Sequence, residues 1–112
     1  MEKQELLESD FRLKKRNYEE KEEEILFERD KGIQDLEEIA DRAQYYLKDY
    51  VAEQEVIAQA LRNLEDMKEE VYEAAQHDRK KIEREVEELE DNYYRDLRKL
   101  SEQESSKKEE NF

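Results

Sequence analysis

The sequence predicts an all-α protein of two long antiparallel helices, a helical hairpin of the coiled-coil kind with a disordered C-terminal tail. Three observations lead there. Among 112 residues there is one Gly and no Pro, so the tight turns of a β-sandwich, a barrel or an α/β fold have no residues to build them. Half of the residues are charged and only 35% are hydrophobic. An ordinary globular domain carries about 25% charged and 45–50% apolar residues, so this chain cannot wrap a thick core. Apolar residues nevertheless recur at alternating steps of three and four, the stripe of an amphipathic helix lying along another helix. A disordered acidic chain would not keep that spacing.

The first helix is expected over residues 3–48. Its stripe is clear from Ile33 through Leu36, Ala40, Ala43 and Leu47 to Tyr50. The N-terminal third is weaker. Leu7, Phe11, Tyr18 and Ile25 share a seam, but Lys14 and Lys21 interrupt it and Ile25-Leu26-Phe27 shift its phase. Residues 3–29 therefore read as helical but lightly held, splayed or dependent on a partner. Gly32 stands inside the pattern, where it costs about 1 kcal/mol relative to Ala and marks a candidate kink.

A turn is expected at about 48–54, in Lys48-Asp49-Tyr50-Val51-Ala52-Glu53-Gln54. Asp49 suits an N-cap, and Glu53 and Glu55 suit the first turn of the helix that follows. Gln76-His77-Asp78-Arg79 is a second turn candidate that would leave unequal arms. The stripe passes through 48–54 almost in phase, so one continuous rod of roughly 150 Å competes with the hairpin.

The second helix is expected over 53–100, with the stripe Ile57, Leu61, Leu64, Val71, Ala75, Ile82, Val86, Leu89, Tyr93 and Leu100. Residues 1–100 then form one helical-hairpin domain. From Ser101 the stripe stops, and 101–112 reads as a disordered tail.

Apolar residues concentrate between 33 and 75, and they point in more than one direction. Ile33, Leu36 and Leu47 face one way, Ile39 and Tyr46 another. Ile57, Leu61 and Leu64 likewise diverge from Val56, Ala60 and Met67. Two helices packed only on each other need one seam each, so faces this wide imply further helices from elsewhere. The expected partner-binding residues are Ile33, Leu36, Ile39, Tyr46, Leu47, Tyr50, Val56, Ile57, Leu61, Leu64, Met67 and Val71. Tyr45, Tyr46, Tyr50 and Tyr72 favour partner contact near the tip, and Tyr93-Tyr94 reads as a solvated flank.

Charge and composition narrow the function classes. The formal net charge is −14, the wrong sign for a nucleic-acid footprint or for an anionic membrane surface. No apolar run approaches the roughly 20 residues of a membrane span. No apolar h-region follows Met1-Glu2-Lys3-Gln4-Glu5, so a cytoplasmic protein is expected, exported if at all without a signal peptide. With no Cys there is neither disulfide nor thiolate chemistry. The one histidine, His77, has Ala74 where the Glu-x-x-His motif of di-iron helical proteins needs Glu, and it reads as solvated. One Gly cannot build a phosphate loop. No enzyme activity, no cofactor and no metal are expected.

In length, acidity, helical content and the placement of its apolar tip, the chain resembles the Lap proteins. These are small helical accessory proteins encoded beside LXG-domain toxins of Gram-positive type VII secretion. The resemblance covers roughly 3–100. Tyr45-Tyr46-Leu47-Lys48-Asp49 and Tyr18-Glu19-Glu20-Lys21-Glu22 match the Tyr-x-x-x-Asp/Glu pattern of type VII export signals, though neither lies in a C-terminal tail. No Trp is present, which sets the chain apart from the related Trp-x-Gly hairpins. The resemblance implies a targeting chaperone that binds the helical LXG domain of a toxin. A second small helical accessory protein would be a further partner, and the product a helical stalk for the secretion machine. The rival expectation is a coiled-coil scaffold that self-associates when alone.

Overall fold

The computed structural model describes residues 2–49 and 54–110, with side chains described as far as 105. Two helices account for them: α1, Glu2–Leu47, of 46 residues, and α2, Gln54–Glu110, of 57. Lys48 and Asp49 form a turn after α1, so the chain is a pair of helices and not one rod. Among the described residues no φ is positive and no peptide bond is cis. Gly32 and the 76–79 segment are both ordinary helix.

Local chemistry accounts for much of this helicity. Glu, Lys, Arg, Gln and Ala fill the solvent faces, and all are good helix formers. Side chains one turn apart link along each helix. Arg12 pairs with Glu8 at 2.5 Å and Lys14 with Asp10 at 2.9 Å. On α2, Gln59 donates to Asn63 at 3.1 Å, and Arg62 donates to Gln59 at 2.9 Å. Arg95 likewise donates to Asn92. Each such pair contributes only a few tenths of a kcal/mol. Tertiary packing must therefore supply the rest.

That packing falls into two compact units. Unit 1 joins Met1–Glu22 to Lys80–Phe112, and unit 2 is Glu23–Arg79. In unit 1 the segments run antiparallel, since Phe11 meets Tyr93 while Lys15, further along α1, meets Glu90, earlier on α2. The Phe11 and Tyr93 rings stack with centroids 4.1 Å apart and planes 10° from parallel. The Lys15 ammonium lies 3.3 Å from the Glu90 carboxylate and 5.6 Å from the Phe11 ring centroid. Among the described residues of this unit, Ile82 is buried. The N-terminal third is therefore not splayed. Its seam is completed by Lys15 and Tyr18 alongside Phe11, which steps of three and four carry past Lys14.

Unit 2 is also antiparallel. Arg29 lies 5.8 Å from the ring centroid of Tyr72, and Glu37, further along α1, reaches back to Lys68 at 3.6 Å. Ile33 and Ala75 are buried. Leu36, Ala40, Ala43 and Leu47 on α1 are half-buried, as are Ile57, Leu61, Leu64 and Val71 on α2. Their recurrence at steps of three and four is the predicted stripe, now closed on itself.

α2 is described from Gln54, with Glu55 in its first turn as expected, and the N-cap expected at Asp49 turns on residues 50–53. Tyr50, Val51, Ala52 and Glu53 lie outside the described residues. α2 is described as far as Glu110. Residues 101–105 are all exposed there, as a stripe-free segment must be. Their Glu, Gln and Ser keep their backbone bonded along the helix without a buried face.

Candidate protein-docking surface

The twelve residues expected to bind a partner divide into two sets. Ile33, Leu36, Leu47, Ile57, Leu61, Leu64 and Val71 lie in the unit 2 seam, buried or half-buried. Their apolar surface is already spent on pairing α1 with α2. Ile39, Tyr46, Val56 and Met67 are exposed instead, at 50%, 70%, 66% and 48%. Tyr50 lies outside the described residues.

Helical spacing explains why these four stay outside the seam. Ile39 stands three residues beyond the seam residue Leu36, and Tyr46 three beyond Ala43. Met67 stands likewise to Leu64. The step of three carries each to the same shoulder of the seam, the position called g in a heptad. In an antiparallel pair, the g shoulders of both helices lie on the same side. Ile25, Gly32, Ile39 and Tyr46 follow one another at heptad intervals on α1, as do Ala60, Met67 and Ala74 on α2. Val56, one turn before Ala60, extends the line.

The opposite shoulder of unit 2 differs in chemistry. Glu37 on α1 and Glu65 on α2 both reach Lys68, at 3.6 and 3.2 Å. The Lys68 side chain is only 18% exposed. Its hydrogen bond to Glu65 outweighs desolvation and, with the field of Glu37, raises its pKa above the ordinary lysine value. Unit 2 therefore has one shoulder carrying these ion pairs and Tyr72, 49% exposed beside Arg29, and one lined by apolar side chains. Tyr45, 66% exposed, packs edge-on to Tyr46 with centroids 5.2 Å apart, and Lys48 lies 5.0 Å from the Tyr45 ring.

The divergence of Ile39, Tyr46 and Met67 from the seam is visible in the spacing alone, whereas which face the second helix covers is not. Gly32 was not among the residues expected on the apolar shoulder. The signal was present in the heptad interval from Ile25 to Gly32 to Ile39. Elsewhere, unit 1 carries a recess of about 600 Å³ lined by Gln4, Tyr94, Leu97, Arg98, Leu100, Ser101 and Glu104. Tyr93, expected as a solvated flank, is instead half-buried against Phe11, while Tyr94 is 58% exposed.

His77 is exposed. Among the described residues, no group of three or more His, Asp or Glu side chains is placed to hold a metal ion, and no helix is long and apolar enough to cross a membrane. Compared with known protein families, curated proteins and solved structures, the chain matches none.

Proposed function

We propose that this chain is a non-enzymatic helical accessory protein. Its unit 2 shoulder receives an amphipathic helix of another protein and completes a small bundle with it. One observation carries the reading: Ile39, Tyr46, Val56 and Met67 are exposed on a unit whose own seam is already filled. Apolar side chains clustered in that way gain roughly 25 cal/mol per Å² when a partner covers them. The helices of the shoulder are held by their own seam, so the partner finds a surface already ordered, which lowers the cost of docking.

The resemblance to Lap proteins supplies the client: the helical N-terminal domain of an LXG toxin, joined in the stalk by a second small accessory protein. The protein would act in the cytoplasm before export, as a targeting chaperone. The test is a search of the neighbouring genes for an LXG toxin, the absence of which overturns the client, followed by co-expression with the helical domain of the toxin found. A stable complex is expected with wild type, and loss of that complex with the paired substitution Ile39→Ser and Met67→Ser, helicity being unchanged. A complex that survives the pair, or none with wild type, overturns the proposal.

A further inference from the structure

We infer that the helix received by the unit 2 shoulder is basic, and that its backbone seats closest at Gly32. The inference rests on the docking reading above and names the chemistry of the partner. Charge is its first support. Unit 2 holds 17 of the 35 acidic side chains and 7 of the 21 basic ones, a surplus of 10 acids; unit 1, with 18 and 14, has a surplus of 4. The exposed apolar line thus lies in the more acidic of the two units. Helical neighbours of that line include Asp35 beside Ile39, Glu70 beside Met67, and one base, Arg42, between Ile39 and Tyr46. Covering the line with a second copy would bring two such surpluses together, and like-charge juxtaposition costs several kcal/mol. A helix with an apolar stripe between Lys and Arg flanks meets the same surface with attraction, and electrostatic complementarity speeds its encounter.

Gly32 is the second, independent support. It is ordinary helix with no positive φ, so the backbone does not require glycine. A Cβ placed there would meet Val71 Cγ1 at 3.7 Å, an ordinary contact, so the seam does not require glycine either. Yet glycine in mid-helix costs about 1 kcal/mol against alanine. The residue, itself half-buried, falls on the same heptad line between half-buried Ile25 and exposed Ile39. Small residues there, Gly32 with Ala60 and Ala74 on α2, alternate with the large Ile39, Tyr46 and Met67. A third helix can lay its own large side chains into the gaps, as knobs enter holes.

The experiment titrates the full chain into labelled synthetic helices of about four heptads. One carries a Leu stripe with Lys flanks, one the same stripe with Glu flanks, and one a Ser stripe with Lys flanks. Fluorescence anisotropy at near-physiological salt is the readout. The Leu/Lys helix is expected to bind about tenfold or more tightly than either other helix. Binding should fall about tenfold in the Ile39→Ser and Met67→Ser pair, and equally in Gly32→Leu, checked by circular dichroism to melt no lower than wild type. Equal binding of the Leu/Lys and Leu/Glu helices, lost in the paired variant, overturns the basic partner and leaves the docking reading standing. Equal binding of the Leu/Lys and Ser/Lys helices overturns both, since charge alone would then explain it. So does failure of either Leu helix to bind, with or without a self-dimer. An undiminished Gly32→Leu overturns the seating.

Discussion

A glycine in the middle of a helix is a conformational expense that alanine would avoid, and at Gly32 the pairing of α1 with α2 has room for the missing methyl group. Gly32→Ala should therefore stabilise the isolated protein by about 1 kcal/mol, raising its melting temperature by several degrees. Thermal denaturation followed by circular dichroism checks it, and an unchanged or lower midpoint would show that the seam rejects the methyl group. Lys68 makes a second residue-scale prediction. Its pKa lies above the ordinary value of 10.5 because Glu65 and Glu37 hold the ammonium. A raised lysine contributes stability that is complete below its unfolded value and lost as pH rises through its folded one. Between pH 7 and 9 that contribution should be flat. Above pH 10.5 wild type should lose stability more steeply than Lys68→Met, as urea midpoints would report. Parallel curves would mean that the ion pairs add nothing.

At the scale of the helices, the seam and the exposed shoulder should respond differently to substitution. Leu61 is half-buried between α1 and α2, and Leu61→Ala should destabilise unit 2 by about 2 kcal/mol. Met67→Ser, on the exposed shoulder, should change stability by no more than about 0.5 kcal/mol. Urea denaturation distinguishes them, and equal losses would contradict the division between seam and shoulder. In unit 1 the stacked rings of Phe11 and Tyr93 should show a coupling of about 0.5–1.5 kcal/mol in a double-mutant cycle to Ala. The stripe from Ile33 to Leu47, and from Ile57 onward, was legible in the sequence because its spacing is nearly unbroken. So was the divergence of Ile39 and Tyr46 from Ile33 and Leu36. The pairing of the N-terminal third was not legible, because Lys15 occupies a seam position and its role depends on finding Glu90 across from it. Which apolar face was already occupied also required the paired helices, since periodicity gives directions along one helix and not what lies opposite.

For the whole molecule, the acidic surplus sets the response to solvent. A net charge of −14 opposes the folded state through self-repulsion. Salt screens it, and the Debye length falls from about 8 Å at physiological ionic strength to 3 Å at 1 M. Added salt should therefore stabilise the fold, and so should acidification from pH 7 toward the sequence pI of about 4.6. Urea midpoints at pH 7 and pH 5 check the second expectation, and a fall at pH 5 would mean that carboxylate ion pairs outweigh the repulsion. The same surplus argues that the exposed shoulder is kept for another protein's helix, because a second copy brings more of the same charge. Light-scattering mass of the purified chain, alone and mixed with the proposed client, an LXG helical domain, tests that most directly. A monomer near 13.8 kDa that forms one defined complex on mixing is expected. A tight dimer alone, dissolved by the paired Ile39→Ser and Met67→Ser substitution and indifferent to the added domain, would contradict it.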